Sequence, residues 1–214
     1  MKATLSREDV LPLVQRLAAD LEAANEAITA LDAEIGDGDL GVTCRLGLKA
    51  VLELLPTLGA ASLGEILMKA GMVFNSAGAS TVGALVATGA MRAGKYTKDN
   101  NLDAWDLPAL IGVTMAAAQG IEQRGKASRG DKTLLDALWP AIEALQVAQA
   151  DGKSLADALQ NAAAAAEDGA KATKPLRAKF GRAAWMQDRT VGVEDPGAAV
   201  VAMVIRSLTE YART

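Results

Sequence analysis

Apolar residues recur at intervals of three and four along most of this chain, and that spacing places them on one face of an α-helix. The first segment runs from Arg7 to about Leu31. Its apolar residues at this spacing are Val10, Val14, Leu17, Leu21, Ala24, Ile28 and Leu31. No stretch sustains the period-two alternation of a strand, and no hairpin turn signal is present. The pattern therefore predicts an all-α protein.

Helix-start signals divide the remainder of the chain. They are Ser6 with Asp9, Ser62 with Glu65, Asp106 with Pro108, Ser154, and Asp195 with Pro196. Two more helices are expected in "STVGALVATGAMRAG" and "TLLDALWPAIEALQVAQA", and another from about Gly41. Short connections favour antiparallel neighbours, so we expect about eight helices in one antiparallel bundle. The expected single domain spans residues 1–214.

The composition narrows the classes of protein and partner. Half of the residues are hydrophobic and only 3% are aromatic, so the core must be aliphatic. The net charge is -4 and no basic stripe is present, which argues against a nucleic-acid partner. No apolar run reaches membrane-spanning length, and the first ten residues lack the apolar region of a signal peptide. With Cys44 as the one cysteine, these features predict a cytoplasmic protein with no membrane partner.

The chain contains no histidine. This excludes a Ser-His-Asp triad on this chain and the zinc motifs that depend on histidine. A bound metal would have to be held mainly by oxygen, which favours Mg²⁺, Mn²⁺ or Ca²⁺.

The stretch "LDAEIGDGDLG" places several carboxylates on a glycine-rich break. On one continuous helix, Asp37 would point about 140° away from Asp32, so Asp32, Asp37 and Asp39 could not converge. Gly36 and Gly38 indicate that the helix ends there and the backbone folds back. Converging carboxylates attract a divalent cation, and Mg²⁺ often keeps coordination positions open for phosphate oxygens. A new helix from about Gly41 would direct its positive N-terminus at those phosphates.

Spacing alone also allows a solvated acidic turn here. An EF-hand loop is excluded because Gly41 and Leu48 occupy the fifth and twelfth positions counted from Asp37, where calcium ligands are required. Two matches to the G-x-x-x-x-G-K pattern, "GAMRAGKY" and "GIEQRGKA", lack the Ser or Thr of a P-loop and follow no strand. Both are typical of helix C-termini.

Three further segments could complete a nucleotide site. "SAGASTVG" offers hydroxyls and backbone amides at a helix start, "RGKASRGDKTLLDA" is a glycine-rich charged loop, and "GRAAWMQDRTVGVEDPG" is a long mixed loop. Taken singly, each is a weak signal: the first is also compatible with close helix packing, and the second with an ordinary solvated connection.

Taken together and in order, "LDAEIGDGDLG", "RGKASRGDKTLLDALWPA" and "GRAAWMQDRTVGVEDPGA" resemble the nucleotide-binding L subunits of dihydroxyacetone kinases, also called Dak2-type domains. The resemblance covers nearly the whole chain. It implies an antiparallel eight-helix barrel with a polar pocket at one end. It also implies that ADP or ATP binds there, with its phosphates held through two Mg²⁺ ions.

The resemblance assigns roles to individual residues. It implies that Asp32, Asp37 and Asp39 hold the metal ions. It also implies that Arg182 stabilises the charge that develops during phosphoryl transfer. The implied nucleotide contacts are Gly41, Val42, Thr43, Ser80, Thr81, Gly125, Leu134, Arg182, Asp195, Pro196 and Gly197. One position departs from the family, which usually reads D-G-D-H-G where this chain has Leu40. Metal and nucleotide binding are expected to survive this change, whereas the rate, the donor and the substrate are placed in doubt.

The resemblance implies a phosphotransferase subunit for a dihydroxyacetone-type, small ketose sugar. Family enzymes hold the sugar through a histidine of a separate K domain, so we expect a K-type sugar-binding subunit as partner. The sequence leaves two donors open: ATP, or a phosphotransferase-system protein that rephosphorylates bound ADP. It also leaves two other functions open, an ADP-sensing regulatory module of the same fold and the nucleotide domain of a fatty-acid kinase.

Overall fold

Helices account for most of residues 1–214, all of which are described by the computed structural model. The α-helices are α1 (Arg7–Ala23), α2 (Asn25–Ile35), α3 (Leu40–Leu54), α4 (Leu63–Ala77), α5 (Thr81–Asp99), α6 (Leu107–Gly125), α7 (Leu135–Ala150), α8 (Leu155–Ala172) and α9 (Pro196–Ala212). Two short 3₁₀ helices lie between these elements, Leu55–Leu58 after α3 and Ala183–Thr190 before α9. The predicted all-α fold is confirmed.

The helix-start signals coincide with the observed starts. The Ser62 hydroxyl accepts the backbone N–H of Glu65 at 3.3 Å and the Glu65 carboxylate accepts that of Ser62 at 3.0 Å, a capping box. Asp106 and Asp195 accept the backbone amides of their own first turns in the same way. These contacts involve residues three positions apart, which is why sequence alone located them.

Two local features differ from the expectation. The first expected helix is interrupted at Ala24 (φ −96°, ψ 2°), so α1 and α2 are separate helices. The apolar spacing continues across this break and gave no sign of it. Two-residue strands also occur, β1 (Leu5–Ser6) and β2 (Ala104–Trp105), which pair antiparallel. They are too short to produce a detectable alternation.

Helices that are consecutive in sequence pack side by side from α3 to α9. Helix α1 then packs against both α9 and α3, so the series closes on itself. The largest apolar cluster contains 17 buried residues, mostly Ala and Leu of α6 to α9. A second cluster of 7 buried residues includes Leu40, Cys44 and Phe74. No helix is both long and apolar enough to cross a membrane.

Candidate functional site

The four residues between α2 and α3 form a sharp reversal of the backbone. Gly38 adopts φ +74°, a conformation that L side chains rarely adopt. At Gly36, an added Cβ would lie only 2.5 Å from Oδ1 of Asp32, so a side chain there would displace that carboxylate. The two glycines therefore let the chain fold back closely against the end of α2.

This reversal brings three carboxylates together. One oxygen from each of Asp32, Asp37 and Asp39 lies within 4.8 Å of the others. Asp32 is buried at the end of α2, and its Oδ2 accepts the backbone N–H of Leu40 at 3.0 Å. Asp37 and Asp39 are exposed. Hard oxygen donors at this separation form a set suited to Mg²⁺ or another hard divalent cation.

A guanidinium from a distant part of the chain faces the same carboxylates. Arg182 pairs through Nη1 with the carboxylate of Asp37, and the same nitrogen lies 3.3 Å from Oδ2 of Asp39. Arg182 lies just before the 3₁₀ helix Ala183–Thr190 and follows Gly181, whose φ is +67°. Like charges held close together are costly unless a positive group joins them, and Arg182 supplies one.

The carboxylates lie in the wall of a cleft of about 260 Å³. The predicted site residues that line this cleft are Asp32, Asp37, Asp39, Ser80, Thr81, Gly125, Leu134, Arg182, Asp195, Pro196 and Gly197. They come from the α2–α3 turn, the starts of α5 and α9, the end of α6, and the loops before α7 and α9. Segments that looked ordinary one by one therefore meet in a single cavity.

Gly41, Val42 and Thr43 were also expected to contact phosphate, but they do not line the cleft. A Cβ on Gly41 would meet side chains of α2, the Val42 side chain is exposed, and Thr43 is buried. Helix α3 begins at Leu40, and Leu40 is its one residue in the cleft wall. The three following residues are therefore not part of the cleft wall, and their expected contact with phosphate stays a prediction.

Two helix starts in the cleft have capping side chains. The Ser80 hydroxyl accepts the backbone N–H of Gly83 at 3.0 Å at the start of α5. At the start of α9, Oδ1 of Asp195 accepts the backbone N–H of Ala198 at 2.7 Å. Helix N-termini carry partial positive charge, and their free N–H groups favour anionic ligands such as phosphates.

Asp195 is buried, and its ionisation is correspondingly perturbed. Burial raises the pKa of Asp195 to about 7, while the hydrogen bond from the Ala198 amide acts in the opposite direction. The negative charges of Asp136 and Asp32 raise this pKa further, and the Lys132 ammonium lowers it. The cleft thus contains a carboxyl group that titrates near neutral pH.

Sequence reasoning missed Lys132, which also lines the cleft. Its side chain is only 1% exposed, and Nζ donates to the carbonyls of Thr173, Thr190 and Val193 at 2.9, 2.8 and 2.5 Å. Burial lowers the pKa of Lys132, and the carboxylates of Asp195, Asp136 and Glu194 oppose that shift. In sequence, the "RGDKT" stretch is polar and glycine-containing, like any solvated connection, so no signal marked the lysine as buried.

Sequence reasoning also missed the apolar part of the wall. It is formed by Ile35, Val82, Leu85, Ile121, Ala127, Leu135 and Phe180. These side chains come from separate elements, and each belongs to an ordinary apolar pattern in its own segment. Pockets for small molecules combine such an apolar lining with a few polar groups. This wall could accommodate a flat apolar ring, while the carboxylates and helix starts accommodate charge.

Comparison with known proteins places this arrangement in context. The family model described as the DAK2 domain matches residues 34–210. The chain is 32% identical, over 98% of its length and 99% of the relative's, to the Escherichia coli protein named PEP-dependent dihydroxyacetone kinase, ADP-binding subunit DhaL. It is 33% identical to the Triokinase/FMN cyclase of Rattus norvegicus, covering 94% of this chain and 34% of that protein.

A solved structure shows the same fold. The dihydroxyacetone kinase from C. freundii, crystallised in complex with AMP-PNP and Mg²⁺, superposes with a TM-score of 0.72 at 26% identity. The match covers 94% of this chain and 33% of that one. The chain therefore spans nearly all of the bacterial subunit and about a third of the two longer proteins.

Proposed function

Because this chain belongs to the DAK2 domain family, we propose that residues 1–214 form one domain that binds ADP or ATP with two Mg²⁺ ions. In this proposal the chain is the nucleotide-binding phosphotransferase subunit of a dihydroxyacetone-type, small ketose kinase. The observation that carries the proposal is the approach of Asp32, Asp37 and Asp39 to within 4.8 Å of one another in the wall of a cleft.

The three carboxylates would hold the metal ions. Asp32 is buried and oriented by the Leu40 amide, whereas Asp37 and Asp39 remain accessible from the solvent side. Bound Mg²⁺ would supply charge neutralisation to the β- and γ-phosphates. An all-oxygen donor set agrees with a chain that has no histidine and one buried cysteine.

The remainder of the cleft fits the rest of a nucleotide. The start of α5 at Ser80–Thr81 would bind phosphate oxygens through backbone N–H groups. At the start of α9, Gly197 would supply such a group, whereas Pro196 has no N–H. Gly125 and Leu134, together with the apolar wall, would hold the base. The binding roles of Gly41, Val42 and Thr43 have no support from the shape of the cleft and are not included.

Arg182 is proposed to act during phosphoryl transfer itself. Its guanidinium faces the carboxylates that would hold the metal ions, which supports a role beside the charge that would develop on the transferred group. Phosphoryl transfer is catalysed chiefly by positioning and by electrostatic stabilisation of that charge. No covalent intermediate on this chain is required.

The acceptor sugar is proposed to bind to a K-type partner subunit. This chain supplies carboxylates, helix starts and Arg182, but it has no histidine to capture a ketose carbonyl. The donor is ATP, exchanged at each turnover, or a phosphotransferase-system protein that rephosphorylates resident ADP.

Position 40 supports a second candidate, an ADP-sensing module with weak catalysis. The Leu40 side chain is 4% exposed and packs in an apolar cluster, so the residue at the usual histidine position brings no polar side chain to the phosphates.

Calorimetry with ADP tests nucleotide binding. We expect binding to require Mg²⁺ and Asp37→Ala to weaken it at least about tenfold, because one of the metal-binding carboxylates is lost. Glu34→Ala is the matched control, since Glu34 is an exposed carboxylate of α2 outside the cleft. Equal ADP affinity in EDTA would contradict the proposal.

A mixed assay tests the two-protein reaction. Ketose phosphorylation should require this chain, a K-type subunit, Mg²⁺ and a phosphoryl donor together, because the acceptor must be held in line with the γ-phosphate. Phosphorylation by the purified single chain would refute the requirement for a partner. Tight ADP binding without activity alongside the cognate K-type subunit would favour the sensing module.

A further inference from the structure

Lys132 joins the two ends of the segment that carries Arg182. That segment leaves α8 at Thr173 and returns to α9 through Thr190 and Val193. The Lys132 ammonium donates to the backbone carbonyls of all three residues, at 2.5–2.9 Å. One buried side chain from the loop before α7 therefore holds together the two ends of the segment that carries Arg182.

Other hydrogen bonds near Lys132 also join the two ends of this segment. The backbone N–H of Gly192 donates to the carbonyl of Lys174 at 2.7 Å, and that of Ala178 donates to the Thr190 hydroxyl at 3.0 Å. Thr173, Thr190 and Ala178 are buried, whereas Trp185 further along the segment is 89% exposed. The two ends of the segment are therefore joined and buried, whereas its middle is exposed. Arg182 lies between the buried Ala178 and the exposed Trp185.

The lysine has no donor left for a ligand. An ammonium group carries three N–H donors, and here each is matched by one carbonyl. The hydrogen-bond partners of Lys132 Nζ are backbone carbonyls rather than carboxylates. Its place in the cleft wall therefore reflects its position beneath the site rather than contact with a bound nucleotide.

We propose that Lys132 is a positioning residue for Arg182. By holding the carbonyls of Thr173, Thr190 and Val193, it fixes the loop so that the Arg182 guanidinium stays against Asp37 and Asp39. This inference rests on the proposed function, in which Arg182 stabilises the transferred phosphoryl group. Lys132 itself touches neither nucleotide nor acceptor. Arg cannot replace it well, because a planar guanidinium does not match three converging carbonyls as a compact ammonium does.

A double-mutant cycle on phosphoryl transfer tests the coupling, with a ketose bound to the K-type subunit as acceptor. Lys132→Met should lower kcat at least about tenfold in the wild-type background and change it less than about twofold in the Arg182→Ala background. The Kd for Mg-ADP should change less than about threefold in both backgrounds. Additive losses in the cycle, or parallel losses of ADP affinity and kcat, would overturn the proposal.

Leu145→Ala separates positioning from general destabilisation. Leu145 is a buried core residue of α7 outside the cleft, so its truncation should lower Tm without altering kcat below the transition. Lys132→Arg should fail to restore kcat even if it restores Tm. Should Lys132→Met not fold, Lys132→Gln enters the cycle in its place, because it keeps an amide donor.

Amide hydrogen exchange in the wild-type chain tests whether the two ends of the segment that carries Arg182 are held together. In the wild-type chain, the amides of Ala178 and Gly192 should exchange about as slowly as the Ala198 amide at the start of α9. Fast exchange at both would overturn the proposal. Failure of the proposed function would appear differently, as absence of Mg-dependent ADP binding or of transfer by the wild type. The exchange result would stand in either case.

Discussion

The backbone amide of Leu40 donates a hydrogen bond to Oδ2 of Asp32 across 3.0 Å. This contact joins the first residue of α3 to the buried carboxylate of α2 and closes the turn that carries Asp37 and Asp39. Any residue except proline can supply that N–H at position 40. Its side chain, by contrast, belongs to the apolar cluster that contains Cys44 and Leu48. Backbone and side chain at this position therefore serve different purposes.

Leu40→His, which restores the usual family residue, should leave the Kd for Mg-ADP within about threefold of wild type. The free energy of unfolding should fall by about 1–3 kcal/mol, because an imidazole replaces a buried leucine. Denaturant unfolding and calorimetry measure the two effects. Leu48→His is the control, since Leu48 belongs to the same cluster but does not line the cleft. A rise in the transfer rate for Leu40→His alone would place position 40 beside the transferred phosphoryl group.

Gly36→Ala should weaken Mg-ADP binding at least about tenfold. The added Cβ would lie 2.5 Å from Oδ1 of Asp32 and displace that carboxylate from Asp37 and Asp39. Gly152→Ala serves as a comparison, because Gly152 has φ +68° and open space around it. It should cost about 1 kcal/mol of stability through backbone strain without changing ADP affinity. Unchanged ADP affinity in Gly36→Ala would show that the position of Asp32 is unimportant for binding.

Asp195→Asn should stabilise the ligand-free protein more at pH 8 than at pH 5. The native pKa is about 7 and the ordinary value is 3.8, so between these values the native carboxyl binds more protons than the unfolded one. The contribution of Asp195 to stability therefore declines as pH rises from about 4 to 7, and the full penalty applies above 7. Asparagine cannot ionise but still caps α9. Thermal or urea unfolding measures how much more the substitution stabilises the protein at pH 8 than at pH 5. This difference should be at most about a few kcal/mol.

The control for this prediction is Asp106→Asn, which changes an aspartate with the equivalent capping bond at the exposed start of α6. Its effect on stability should be similar at the two pH values. If Asp195→Asn raised the free energy of unfolding equally at pH 5 and at pH 8, that result would contradict a pKa of Asp195 raised by burial.

Mg-ADP should raise the thermal midpoint of this protein. A ligand that binds only the native state adds RT ln(1 + [L]/Kd) to its stability, about 2.7 kcal/mol at a hundredfold excess over Kd. Differential scanning calorimetry with Mg-ADP, with ADP in EDTA and with Mg²⁺ alone separates the contributions. The shift should be lost in Asp37→Ala and retained in Glu34→Ala. A midpoint that Mg-ADP leaves unchanged would argue against a nucleotide site.

The sequence by itself determined the features that arise from contacts within a few residues. Periodicity predicted an all-α chain, and cap residues such as Ser62 and Asp195 predicted where helices begin, because a cap bonds an amide three residues away. The acidic turn was predictable for the same reason. Gly36 and Gly38 permit the reversal locally, so the approach of Asp32, Asp37 and Asp39 follows from one short stretch.

Only the tertiary structure decided which distant segments meet there. Arg182 and Asp39 are separated by 143 positions, and no local pattern encodes a contact over that distance. The same holds for Lys132, whose polar neighbours in sequence hide its burial against carbonyls 41 to 61 positions away. It holds also for Gly41 and Thr43, which do not line the cleft although they lie in the first turn of α3. Local patterns set the helices and the turn, whereas helix packing set the arrangement of the site, because packing energy depends on whole apolar faces rather than on individual motifs.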